Sequence, residues 1–442
     1  MERRTVVAIC SGVALVSAAG WGQSAFRERM MVADVARDYP HQVAEARRLH
    51  LKTSIDEIYE GVPEMGGGDA TAIINLMIDN MGKRTERSLN TMTARMVDGR
   101  SPKEFLASAN KVLELAREAG SKQTYAVWRT LPRPAEAVDY RHPLGLTTGL
   151  VILAMSAEQN ALDGNTDQSV KDLQCLASLA KITYDCPDNN SYNACLNSLS
   201  LAFDATRRTA MNRQDDAAFL DRLRTEVIDK IQMPDPRPAI QCEALMTIQR
   251  SMQELDKKGS SATIFGVSQR AVELWDDQQF KQASQAKMLR TWVMLAQTIE
   301  DTWPRWSRIV PAVKTLAAAE FEHRKNETPQ DSVARAFSPA FLGSLISAQT
   351  MEARRSLTGA WLSLLAAHAR DHAWPLAIEV NYADPYDDKP LRYRQEGNGF
   401  VLYSSGIDGK DDQGDLAPRK GANSADVGFD CRRGVVRQIQ GR

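Results

Sequence analysis

The sequence predicts a mainly α protein: a body of helical hairpins of tetratricopeptide-like type, followed by a small C-terminal antiparallel β hairpin module. Three observations carry that expectation. Apolar residues recur at helical spacing through residues 30–375, punctuated by capping residues, glycines and prolines. At Trp374-Pro375 the period changes, and Leu391-Arg392-Tyr393-Arg394-Gln395 alternates with period two. Gly397-Asn398-Gly399 can then take the positive φ of a tight turn, and Phe400-Val401-Leu402-Tyr403 returns as a β-rich strand.

The first segment carries an address. Arg3-Arg4 is followed by residues 5–26, which contain no charge. One reading is a signal peptide cleaved at the small residues Ser17-Ala18-Ala19. The other is an uncleaved membrane anchor, since 22 uncharged residues can span a bilayer. Both place residues from 28 onward outside the cytoplasm, membrane-anchored or secreted to the periplasm. The expected division is 1–27, signal peptide or anchor; 28–350, α-helical repeat-like body; 351–442, long helix plus β tail.

Within the body, residues 101–120 read as one helix. Ser101 caps it, Pro102 suits its first position and Glu104 completes a capping box. Phe105, Ala109, Val112, Leu113 and Ala116 share a face, and Gly120 is expected to end the helix in the left-handed conformation. A helical hairpin follows. Leu150, Leu153, Ala154, Ala157 and Ala161 form one stripe, Gly164 stops the first helix, and Asp167 is expected to cap the second. Val170, Leu173, Leu176 and Ala180 face back. No strict 34-residue repeat is present, so the body is repeat-like only. Further helices are expected near 191–211, 216–231, 239–256, 267–300, 307–323 and 331–372.

Five cysteines follow residue 27, and Cys186 and Cys195 flank the turn between two helices. They either form a local disulfide staple, as an exported chain permits, or stay reduced and packed. The 55 basic and 56 acidic residues leave a net charge of -1, which offers no footprint for nucleic acid. The partners expected are unidentified proteins, and the membrane through the N-terminal segment.

The tail adds a resemblance. DPYDDKPLRYR, GFVLYSSGIDGKDD and SADVGF resemble the C-terminal part of the type II secretion major pseudopilin, over roughly the last 90 residues. The helix RRSLTGAWLSLLAAHARDHAWP is similar to the one before Trp/Tyr-Pro in that family. The whole chain is similar to uncharacterised bacterial envelope proteins that join a membrane segment, a tetratricopeptide-like body and this tail. It departs from them between Pro375 and Asp384, where only eight residues stand. The pseudopilin resemblance implies a Ca2+ ion in the loop after the last strand, at the matching positions Asp408 and Asp426. Asp411, Asp412 and Asp415 are further oxygen donors nearby, and calcium takes six to eight such ligands. The alternative is a solvated acidic loop.

Enzyme signals are few. His368 and His372 stand one helical turn apart, a metal-compatible spacing, but the general-base Glu of H-E-x-x-H is missing. No nucleophile elbow, phosphate loop or dinucleotide fingerprint occurs. Trp303-Pro304-Arg305-Trp306 is either a stacking patch or core. The expectation is a non-enzymatic envelope protein, a protein-protein interaction or assembly scaffold with a pseudopilin-like tail. The alternative is an extracytoplasmic hydrolase. A concave pocket joining histidine with carboxylates would favour the hydrolase, and a groove without them the scaffold.

Overall fold

The computed structural model describes residues 30, 32–52, 57, 70–77, 79–80, 101–122, 141–184, 189–256, 267–321, 327–336, 341–416, 427–430 and 437–439. It is mainly helical, with a small antiparallel sheet near the C-terminus. The helices run α1 Tyr39–Arg48, α2 Pro102–Ser108, α3 Asn110–Gly120, α4 Arg141–Leu162, α5 Thr166–Ile182, α6 Asn189–Met211 and α7 Ala217–Arg222. After them come α8 Arg237–Asp256, α9 Gln269–Leu274, α10 Gln278–Thr302, α11 Trp306–Phe321, α12 Pro329–Ala336 and α13 Phe341–Asp371. The strands are β1 Arg392–Glu396, β2 Gly399–Ser404, β3 Val427–Asp430 and β4 Arg437–Ile439, hydrogen-bonded in the order β1-β2-β3-β4. The expected hairpin is present, and two further strands extend it. Its two-residue turn places Gly397 at φ 56°, and Glu396 pairs with Gly399.

The chain divides into two compact units. The smaller comprises Met1–Ile55, Gln241–Ile299 and Val313–Pro339. Its core gathers Val32, Ala36, Leu255, Trp275, Phe280, Met288 and Val333. The expected single helix over 267–300 is broken there, because the Asp277 carboxylate accepts from Gln279 N and Phe280 N and starts α10 afresh. Asp256 accepts from Trp275 Nε1 at 2.9 Å and from Lys281 Nζ at 2.7 Å, which draws α8 to that break.

The larger unit comprises Asp56–Ile240, Glu300–Ala312 and Ala340–Arg442. Its centre is the hairpin of α4 and α5. The expected stripe of Leu150, Leu153, Ala154, Ala157 and Ala161 is buried throughout, as are Val170, Leu173, Leu176 and Ala180 opposite. The Ser101–Glu104 capping box forms. Three local expectations need correction. The helix expected over 101–120 is two, α2 and α3, parted at Ala109. Gly120 has no left-handed φ; a Cβ on it would lie 2.6 Å from the Cys175 carbonyl oxygen, so its role is to let α3 approach α5. Asn165, not Asp167, sits at the cap of α5, and Asp167 pairs with Arg222 instead.

One carboxylate binds three of these helices. Asp172 on α5 is fully buried. It takes Arg117 of α3 in a two-point contact at 2.8 and 3.0 Å, Ser156 and Asn160 of α4 at 2.6 and 3.1 Å, and Gln168 at 2.8 Å. Its hydrogen bond raises the Arg117 pKa against the lowering effect of burial. A sealed carboxylate is tolerated when its lone pairs are filled in this way.

Residues 216–231 were expected as one helix. They form α7, one π-helical turn over Leu223–Val227 and a 3-10 turn over Ile228–Lys230. The expected helix over 331–372 is two, α12 and α13, with Pro339 in the sequence between them. The boundary expected at 350/351 thus lies inside α13. The strands do not build a core apart from the helices. Leu391, Phe400, Leu402 and Phe429 join the same continuous core as α3 to α7 and α13. On the other face of the sheet Val401, Tyr403 and Leu416 form a small cluster. The segment linking α13 to β1 is strapped down: Tyr382 Oη donates to Asp229 at 2.5 Å, and a Cβ on Gly359 would lie 2.4 Å from that hydroxyl.

Cys195 is buried on α6, and Cys186 lies outside the described residues, as does the expected signal or anchor over 1–27. Among the described residues no helix is long and apolar enough to cross a membrane.

Two substitutions test this core. Leu153→Ala should cost about 3 kcal/mol in urea unfolding. Leu153→Asp, which buries an unpaired charge, should leave little cooperative unfolding at all. Wild-type midpoints for both would show that the α4 stripe is not the buried face.

Candidate functional site

The acidic loop follows β2. Asp408 is exposed and its Oδ1 accepts from Lys410 N at 3.1 Å. Asp411 accepts from Gln413 N at 2.8 Å and from Tyr403 Oη at 3.1 Å, and Arg392 Nε stands 3.6 Å from its other oxygen. Burial pushes the Asp411 carboxyl up, but these three partners outweigh it and hold it below the usual carboxylate range. Asp412 and Asp415 are joined through the backbone, Asp415 N donating to Asp412 O at 3.2 Å. Asp426 lies outside the described residues. Among the described residues no three His, Cys, Asp or Glu side chains gather in a way that could hold a metal ion. The four described aspartates are spread along the loop, and the expected set also includes Asp426. The loop instead folds over the sheet: Leu416 packs on Val401 and Tyr403, and a Cβ on Gly414 would lie 2.8 Å from Val401.

The acid that organises the tail is Asp384, which stands in the resemblance motif without a role assigned to it there. It is fully buried. It accepts from Tyr386 N at 3.0 Å, Ser404 Oγ at 2.8 Å and Ser405 N at 2.8 Å, and it pairs with Arg392. Arg392 also pairs with Asp387. Linker, β1 and the end of β2 are thus tied to one carboxylate.

The two histidines do not converge. His368 stacks on Trp374 at 4.1 Å between centroids, and Trp374 meets Phe400 at 4.7 Å. His372, with φ 54°, lies just past the end of α13. Trp306 is buried and meets Trp303 edge-on at 5.5 Å, while Arg237 lies over the Trp303 ring. Packing accounts for Trp306, while Trp303 is half-buried.

A concave feature of the larger unit lies where α4, α6, α13 and β3 meet. It is a cleft of about 440 Å³, within the range of ligand sites. Its charged lining is Glu158, Asp204, Arg207 and Arg208. Arg208 Nε donates to Glu158 at 2.7 Å, and Arg207 pairs with Asp204 on the preceding turn. The Arg207 guanidinium lies 5.6 Å from the centroid of the Phe429 ring, which stacks on Trp361. Met211, 40% exposed, and Asn212 complete the wall. A second cavity of about 550 Å³ shares Met211 and Asn212 and continues along residues 213–217. These residues come from four separated parts of the chain, and no local sequence signal marks them.

Asp384→Ala should cost about 3–5 kcal/mol, because it leaves Arg392 without its buried partner. Asp408→Ala, at an exposed loop site, should stay within about 0.5 kcal/mol. Equal effects in chemical denaturation would mean that the tail is not held through Asp384.

Compared with known proteins, the chain matches no family model, no curated protein and no solved structure.

Proposed function

We propose that this chain is a non-enzymatic envelope protein that binds a protein partner through its helical body, as an interaction or assembly scaffold. The observation that supports this reading is the lining of the groove. Its carboxylates are engaged by arginines, and the rest of its described lining is Met211, Asn212, Trp361 and Phe429. A hydrolase needs a base or nucleophile in reach of a bound substrate. An arginine-bearing groove with an exposed methionine suits a docked polypeptide segment instead. Pseudopilin-like residues in the tail and the uncharged stretch at residues 5–26 support placement in the envelope.

Two measurements test it. A reporter enzyme active only outside the cytoplasm, fused after residue 60, should be active; a stable but silent fusion would remove the envelope placement. A photo-crosslinking residue at Met211 in intact cells should give one defined protein adduct, absent when the crosslinker replaces exposed Arg270. Adducts equally strong at both positions would remove the docking role.

A further inference from the structure

The lining of the groove balances Arg207 and Arg208 against Glu158 and Asp204, but a third arginine, Arg354, stands beside it on the Asp204 carboxylate. Arg207 and Arg354 have side chains only 10% and 11% exposed, and both turn to the single carboxylate of Asp204. Arg354 reaches it at 3.8 Å and bonds Ser200 as well. Arg208 adds a third cation, with Glu158 as its partner. Among the described residues, three arginines therefore face two acids here. Burial and the neighbouring charges both act on the Arg207 guanidinium. Burial pushes its pKa down to about 10; Asp204 opposes this, while Arg354 and Arg208 add to it. A second anion at this place would relieve the repulsion and supply the acceptors that a guanidinium fork prefers. The neighbouring wall is apolar, with Met211 at the mouth and Phe429 and Trp361 at the floor.

Building on the partner-binding reading above, we infer that the cleft is a site for a carboxylate carried next to an apolar group. Arg207 and Arg208 receive the carboxylate and Met211 the apolar group. An Asp or Glu beside a hydrophobic residue in an extended partner segment offers this chemistry, and the adjoining cavity along residues 213–217 leaves room for the segment to continue. Asp204 then acts as an internal stand-in that the incoming carboxylate competes with.

The test is calorimetric titration of the full-length protein with acetyl-Ala-Leu-Asp-Leu-Ala-amide, the same peptide with Asn for Asp, and 3-phenylpropanoate. The Asp peptide should bind at least tenfold more tightly than the Asn peptide, and the gap should narrow as salt rises. Arg207→Met, which keeps an apolar stem against Phe429, should abolish the gap. Asp204→Asn should widen it, an effect that a purely structural role for Arg207 would not produce. If Arg207→Met fails to fold, Arg208→Ala, at a half-exposed site, must cut the gap at least threefold. Equal binding of the two peptides, binding of neither, or a gap unchanged in a folded arginine variant overturns the inference. If 3-phenylpropanoate binds as tightly as the Asp peptide, the carboxylate site stands and the peptide source is overturned. A Met211 crosslink that persists in Arg207→Met removes this site alone and leaves the scaffold reading in place.

Discussion

Twelve consecutive residues of α13, Ser356–Ala367, are out of water, so the helix has no solvent face over more than three turns. A helix buried all round must find an apolar or satisfied neighbour in every direction. In the larger unit α6, α7 with the following π turn, and strands β2 and β3 supply those neighbours. The tail sheet is therefore part of the core of that unit. Without β2 and β3 the Trp361 ring loses Phe429, its stacking partner, and Leu402 and Phe400 leave the shared core. The small residues of α13 serve the same crowding. Gly359 admits the Tyr382 hydroxyl, and Ala360 and Ala366 are fully buried.

Two sealed carboxylates set the positions of what surrounds this helix. Asp172 gathers α3, α4 and α5, and Asp384 gathers the linker, β1 and the end of β2. Each is out of water and each is supplied with donors from more than one element. Such networks hold register because a half-made network costs more than an apolar contact would. The Arg207 cleft is the contrasting case. There two arginines, Arg207 and Arg354, turn to one carboxylate, and Arg207 and that carboxylate line a cavity. Where charge is completed internally the structure is closed, and where it is not there is room for something else.

Much of the fold was legible because its signals are local. The stripe from Leu150 to Ala161, the Ser101–Glu104 box and the Gly397-Asn398 turn each sit within a few residues of sequence. Sequence and structure part where an apolar period runs across a competing local signal. Asp277 is a capping residue inside a continuous apolar pattern, and its carboxylate wins over helix propagation. The position of Gly120 suggests a terminator, whereas its missing Cβ serves a helix contact 55 residues away at Cys175. The cleft joins residues near 158, 207, 361 and 429, so its assembly depends on tertiary packing that no window of sequence contains. Asp384 had a motif but no visible function, because its donors Ser404 and Ser405 lie 20 and 21 residues on.

The acidic loop carries charge that the neighbouring strand partly balances. A divalent ion attracts carboxylates that otherwise repel one another. In this arrangement Arg392 already stands among Asp384, Asp387 and Asp411, and Tyr403 donates to the last of these. A cation drawing Asp411 away would have to compete with that guanidinium. It would also disturb the segment that lays Gly414 and Leu416 over Val401 and Tyr403. One arginine on the first strand thus balances part of the loop's charge from within the protein, while Leu416 covers the sheet.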